Sequence, residues 1–300
     1  MNNERIDIHQ VITDKLVAAM EAGAGAGRWK MPWVQPGGGI RPVNIASGNF
    51  YRGINVLALW IEAQERGYNS NIWGTFKQWK EKGASVRKGE KSAMIVFFKN
   101  FQVATDSGDL ESRMVARATP VFNAAQVDGY TPPAPKVPIA GGAEALDGVD
   151  AFVANTGAIV KIGGSRAFYR PSTDEVHMPP QNAFHGSETS TPTEAYYGTL
   201  LHELVHWTGP KGRCERDLSG RFGNESYAME ELVAEIGAAF LCAELGVSAE
   251  PRADHAQYLA SWLRVLKADK RAVFTAASKS SQAFDFLESL QRQEKQQAAA

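Results

Sequence analysis

Apolar residues recur at helical spacing from the start of the chain. Ile6, Ile8, Val11, Ile12, Leu16, Val17 and Met20 form one stripe, which predicts a helix over 4–22 ended by the Gly-Ala alternation at 23–27. A second helix is expected over 53–66, with Gly67 as its cap. After a short helix at 75–82 and a basic turn, the segments 92–104 and 113–127 are rich in β-branched and aromatic residues and predict strands. Residues 128–148 hold four prolines and four glycines and read as a linker. Beyond it, 151–164 predicts a helix entering a strand, and 166–180 predicts two short strands around a turn at Pro171–Asp174. Thr191, Pro192 and Glu194 form a capping box that opens a helix over 192–207, and Thr208, Gly209 and Pro210 close it. A last strong helix covers 227–246, with Leu232, Val233, Ile236, Ala239, Phe240 and Ala243 as its buried stripe.

Together these elements predict an α+β protein of two domains, 1–128 and 150–290, joined by a Pro/Gly-rich linker over 129–149 and followed by a polar tail at 291–300. The 300-residue length agrees with two domains. The content of 44% hydrophobic and 22% charged residues is that of an ordinary globular chain. Neither Cys214 nor Cys242 sits in a C-x-x-C pair, so the spacing suggests no cysteine zinc site or redox motif, and free thiols are the expectation. The first ten residues lack a secretory pattern, and no apolar run reaches the roughly 18–20 residues a membrane span needs, so a cytoplasmic location without membrane attachment is expected.

The chemistry concentrates in "HELVH", residues 202–206. On a helix, His202 and His206 stand one turn apart on one face, spaced to grip one tetrahedral metal ion. Glu203 is rotated by about 100°, beside the ion, where a general base toward a water molecule belongs. Leu201, Leu204 and Val205 supply a separate face for packing. On the next helix Glu231 and Glu235 share a face, and carboxylates in so apolar a helix need a partner or a metal. The fourth position would be left to water. Tyr227, one turn before Glu231, is the candidate transition-state donor; Tyr196 and Tyr197 are weaker ones. "STDEVHMPP" is a candidate edge strand for an extended peptide, with His177 on the surface. A nuclease would gather hard oxygen ligands, and a purely structural site would be closed by four protein ligands; neither matches this donor set.

"ELVAE" at 231–235 resembles the Glu-x-x-Ala-Asp/Glu/Asn segment of gluzincin metallopeptidases. That resemblance implies Glu231 as third ligand and Glu235 as the group that orients a ligand histidine. Glu230, or Glu231 and Glu235 exchanged, are open alternatives. Zinc is the implied ion, with manganese or cobalt as substitutes.

Formal net charge is −1, but it is unevenly spread. From Arg66 to Lys99 there are eight cationic and two acidic residues, interleaved with Trp73, Phe76, Trp79, Phe97 and Phe98. Cations along a strand's phosphates with aromatic faces for its bases suit single-stranded DNA. Phe97 and Phe98 are neighbours on a strand and are expected on opposite faces, so not both outward. "NFYRGINVLALW", "WGTFKQWKEKGASVRKGEKSAMIVFFK" and "LLHELVHWTG", in this order, resemble the ArdC-type antirestriction proteins of conjugative plasmids over roughly residues 5–285. The resemblance implies an N-terminal single-stranded-DNA-binding domain and a C-terminal zincin-like (gluzincin) metallopeptidase domain. It also implies protection of incoming plasmid DNA from restriction endonucleases during conjugation, and delivery to the recipient cell as a further expectation. Tyr51, Arg52, Trp73, Lys77, Arg87, Lys88 and Lys91 are the DNA-contact candidates from chemistry and motif position. The alternative is a single-stranded-DNA binder whose metal site is structural, and the protein substrate is unidentified in either case.

Overall fold

The computed structural model describes residues 7–25, 41–104, 110–131, 143–186, 190–220, 224–247 and 256–297. Two units emerge, residues 1–16 with 42–135, and residues 17–41 with 136–300. Helix α1 (Ile8–Gly25) gives its first half to one unit and its second half to the other.

The first unit contains β1 (Val43–Asn44), α2 (Ile54–Arg66), β2 (Ile72–Gly74), α3 (Phe76–Glu81), β3 (Ser85–Val86), β4 (Ala93–Ala104), β5 (Leu110–Asn123) and β6 (Val127–Asp128). Its main sheet has the order β1-β2-β5-β4, and β3 pairs with β6. Gly67 ends α2 in the left-handed conformation that a side chain would strain (φ 66°). Thr75 and Gln78 form a capping box that starts α3 and drives Trp79 into the interior, where its ring nitrogen donates to the Phe122 carbonyl at 3.0 Å. On the free edge of β4, the Asn55 amide bonds both backbone groups of Val96: it donates to the carbonyl at 2.9 Å and accepts from the N–H at 2.7 Å. A helix side chain thus takes the place of a neighbouring strand. Buried Glu62 on α2 is paired with Lys15 of α1 and with Arg66.

Beyond Thr119 the pair β4–β5 leaves the sheet, because β2 reaches β5 only at Phe122 and Asn123. The outer part is a two-stranded ribbon. Phe97 and Phe98 are consequently both exposed, at 51% and 47%, contrary to expectation: alternation puts them on opposite faces, but here neither face packs into the core.

The second unit contains α4 (Ala143–Asn155), β7 (Ile159–Ile162), β8 (Phe168–Arg170), β9 (Glu175–Met178), α5 (Pro192–Trp207), α6 (Glu225–Leu245), α7 (Ala256–Ala268) and α8 (Ala272–Gln297). The last residues of the expected linker, from Ala143, are helical, and α8 continues into the expected tail; residues 132–142 lie outside the described residues. The sheet order is β7-β9-β8. β9, expected at an edge, is central: it pairs parallel with β7 and antiparallel with β8, so its main-chain groups are already used. α5 starts at the expected capping box, where the Thr191 hydroxyl accepts from the Glu194 N–H at 3.2 Å.

Helix α6 is the axis of this unit. Every residue from Glu231 to Ala243 is buried, because α4, α5, α7 and α8 surround it. α5 meets it with Leu201, Leu204 and Val205, all at zero exposure. The crossing depends on Gly237, where an added Cβ would stand 2.8 Å from Val205 Cγ2 and 3.0 Å from Cγ1. Val205 is stiff at χ1 and cannot swing away. We expect Gly237→Ala to destabilise the protein by about 1–3 kcal/mol through overpacking, in spite of alanine's higher helix propensity. Adding Val205→Ala should restore most of the loss in thermal denaturation; a Gly237→Ala protein as stable as the wild type would refute the close-contact account.

Candidate metal centre and basic face

The tight crossing of α5 on α6 brings three side chains to one point. His202 Nε2 lies 3.1 Å from His206 Nε2. Glu231 reaches both, with Oε2 3.5 Å from His202 Nε2 and Oε1 3.6 Å from His206 Nε2. The ligand atoms of His202, His206 and Glu231 all lie within 4.8 Å of one another. Two nitrogens each about 2.0–2.1 Å from a tetrahedral ion would be about 3.4 Å apart, so the pair is already near the spacing a bound ion needs.

The outer ring nitrogens are also occupied. Glu235 Oε1 sits 2.8 Å from His202 Nδ1, and Glu230 Oε1 sits 3.1 Å from His206 Nδ1. This separates the three acids that the sequence left open: Glu231 faces the inner nitrogens, while Glu230 and Glu235 each hold one imidazole from behind. Behind Glu230 stands Arg216, which the sequence reading missed. Its Nε donates to Glu230 Oε2 at 3.0 Å and its Nη2 to Oε1 at 2.9 Å, and it also donates to the Val205 carbonyl and the Thr208 hydroxyl at the end of α5. Arg216 lies in an irregular segment with no periodic pattern, so no sequence signal marked it.

Charge balance supports a cation. Burial alone would favour neutral His202, but Glu235, Glu231 and Glu203 together raise its pKa to about 10. Burial would raise Glu231, yet the two imidazoles and a hydrogen bond from Tyr227 hold it down at about 2. Four carboxylates converge on two imidazoles here, and the proton that His202 retains marks a demand for positive charge that suits a cation. The donor set of two imidazoles and a carboxylate fits a divalent metal.

The centre lies in a cleft of about 980 Å³. Glu203 lines it beside the histidines, as does Tyr227. Tyr197 is committed elsewhere, donating to Asp150 at 2.8 Å, and Tyr196 stacks edge-on with Phe184. His177 stacks on Phe168 with ring centroids 4.7 Å apart and is not among the converging ligand residues. Gly164 to Tyr169, including the start of β8, form one rim. β8 pairs with β9 on one side, which makes it, instead of β9, the edge strand beside the cleft.

In the first unit the basic candidates divide into groups. Trp73 and Tyr51 are buried, at 1% and 6%, and so present no open ring face. The stacking role expected of Trp73 is therefore corrected: it and Trp79 serve the core. Tyr51 accepts a hydrogen bond from Asn44 at 2.9 Å, and burial raises its pKa. Arg87 acts as a brace, donating to Glu90 at 2.7 Å and to the Ala125 carbonyl at 2.6 Å. A hydrogen bond from Gln126, aided by Arg87, keeps Glu90 below the usual carboxylate range. The turn so fixed carries Lys88 and Lys91 exposed; Arg52 and Lys77 are exposed too, Lys77 with Glu81 3.7 Å away.

Comparison with known proteins covers both units. Residues 6–127 match the N-terminal domain of the anti-restriction factor ArdC, and residues 147–279 match a zincin-like metallopeptidase domain. The protein y4eC of Sinorhizobium fredii is 46% identical over 95% of this chain and 92% of its own. The DNA primase TraC of Escherichia coli is 37% identical over 97% of this chain, which spans only 28% of TraC. Crystal structures of the antirestriction protein ArdC from plasmid R388, one metal-free and one Mn(II)-bound, are 40% identical, with TM-scores of 0.78 and 0.76; they cover 95% of this chain, which covers 97% and 98% of theirs.

The geometry gives a graded expectation for metal content. Glu231→Ala should abolish stoichiometric binding of a divalent ion. Glu235→Ala should keep the ion with about 10- to 100-fold weaker affinity. Metal analysis and competition titration of the purified variants read the order, and full retention by Glu231→Ala would remove that residue from the ligand set.

Proposed function

The chain belongs to the ArdC family of antirestriction proteins, and from that premise we propose that it holds single-stranded DNA with its N-terminal domain and hydrolyses a protein bond with its metal domain, so shielding entering plasmid DNA. We take residues 1–128 as the DNA-binding domain and 150–290 as the peptidase domain. One observation carries the enzymatic half: His202, His206 and Glu231 converge while Glu203 lines the same cleft.

His202, His206 and Glu231 would hold the ion, with Glu235 and Glu230 fixing the two rings. Zinc is the proposed resident, and manganese or cobalt suit the same donors. Once bound, such an ion polarises a carbonyl and acidifies a water molecule. The rest falls to this chain's own groups. An extended peptide lies along the β8 edge, its backbone aligned by main-chain hydrogen bonds. Glu203 accepts a proton from the attacking water and returns it to the departing amide nitrogen. Tyr227, which lines the cleft and hydrogen-bonds to Glu231 here, is the proposed donor toward the oxygen on which charge develops. In the N-terminal domain, Arg52, Lys77, Lys88 and Lys91 supply phosphate contacts.

Glu203→Gln should retain metal and DNA binding while peptide hydrolysis falls by about a hundred- to ten-thousand-fold and antirestriction is lost. If Glu203→Gln protects plasmid DNA in full, the centre is structural and the catalytic reading fails. These four phosphate contacts alone would contribute about −3 to the log–log salt slope of single-stranded-DNA affinity, from about −0.7 per contact. A slope near zero in a fluorescence-anisotropy titration would contradict phosphate binding.

A further inference from the structure

The outer β4–β5 ribbon carries a patch for which the proposed phosphate contacts leave no role. Register places Phe97 opposite Arg117, and Lys99 opposite Val115. Alternation puts all four on one face of the ribbon, and all four are exposed, Phe97 at 51% and Val115 at 49%. Directly opposed side chains have Cβ atoms about 4.5–5.5 Å apart, so each apolar group has a cation as its neighbour across the ribbon. The other face is different in kind. There Phe98 lies beside the His9 ring of α1, with centroids 6.3 Å apart. Trp73 and Trp79, the larger rings, are locked in the core.

We infer that the Phe97–Arg117–Lys99–Val115 face is a nucleobase-stacking platform for single-stranded DNA. The inference rests on the DNA-binding reading above and assigns its stacking contact. Neither component alone would commit the patch to this partner. An exposed aromatic ring suits many apolar surfaces, and lone cations suit any anion. The alternation of ring and cation on one narrow strip matches a polymer that alternates flat apolar bases with phosphates. With all four of its side chains exposed, this face also leaves room for a strand to run along it without displacing core residues. Sequence-tolerant binding follows, because every base offers a π-face while no built pocket reads base edges. Duplex DNA, its bases already stacked in pairs, should gain little from Phe97.

The test uses the full-length chain with a fluorescein-labelled oligo-dT of about twenty nucleotides, longer than one such site. Phe97→Ala should weaken binding by about 5- to 150-fold, the equivalent of one stacked base, with the salt slope unchanged. Phe97→Trp should bind at least as tightly as the wild type, because it keeps a ring of larger face. Arg117→Ala and Lys99→Ala should each make the salt slope shallower by about 0.7, the share of one phosphate contact. Phe98→Ala, on the other face, should bind like the wild type; circular dichroism confirms that each variant is folded. Wild-type binding with an unaffected Phe97→Ala, or equal losses for Phe97→Ala and Phe98→Ala, would overturn the platform and leave the DNA reading standing. A wild-type chain that binds no oligo-dT would overturn the DNA reading itself, and the platform with it.

Discussion

Three carboxylates at and inside the buried middle of α6 govern the second unit. Buried without partners, Glu230, Glu231 and Glu235 would each cost several kcal/mol. The fold meets that cost by crossing α5 on α6 so that two imidazoles and Arg216 meet them. This constraint explains features that otherwise look unrelated: the bare backbone at Gly237, the apolar stripe of α5 turned toward α6, and the irregular segment after α5 that returns to bring Arg216 inside. Removing one member leaves its partner charged and stranded. The centre is therefore a device for folding as well as a candidate for chemistry, and the two roles share the same residues.

Legibility from sequence followed locality. The ends of α5 could be read because Thr191, Pro192 and Glu194 act within four residues of one another. The His202–His206 pair and the 231–235 acids could be read because a helix repeats every 3.6 residues. Which acid faces which nitrogen was beyond periodicity, since all three lie within about 150° of arc on one helix. Only the rotation of α6 about its axis, fixed by packing on every side, assigns Glu231 inward and Glu230 and Glu235 behind. Arg216 carried no signal at all. β9 reads as an edge in sequence because β7 is not recognisable as its parallel neighbour, and parallel pairing is set by a connection instead of a turn.

The first unit shows the reverse failure. Aromatic residues among cations suggested a stacking surface, but size decided their fate: Trp73 and Trp79 fill the interior, where a large ring gives most. Phe97 stays outside because the ribbon outruns the rest of the sheet, a fact of strand length against sheet width that no local pattern contains. Composition suggested a kind of partner, while tertiary structure decides which aromatic rings are open and which fill the core.

The Asn55 amide that closes the edge of β4 at Val96 has a bearing on solution behaviour. A long strand with open main-chain groups and phenylalanines on both sides is a template for recruiting another copy. One carboxamide covers that template where it joins the body of the unit. Damage at this position would show itself first as sticking between molecules at high concentration, with each molecule's interior still in order.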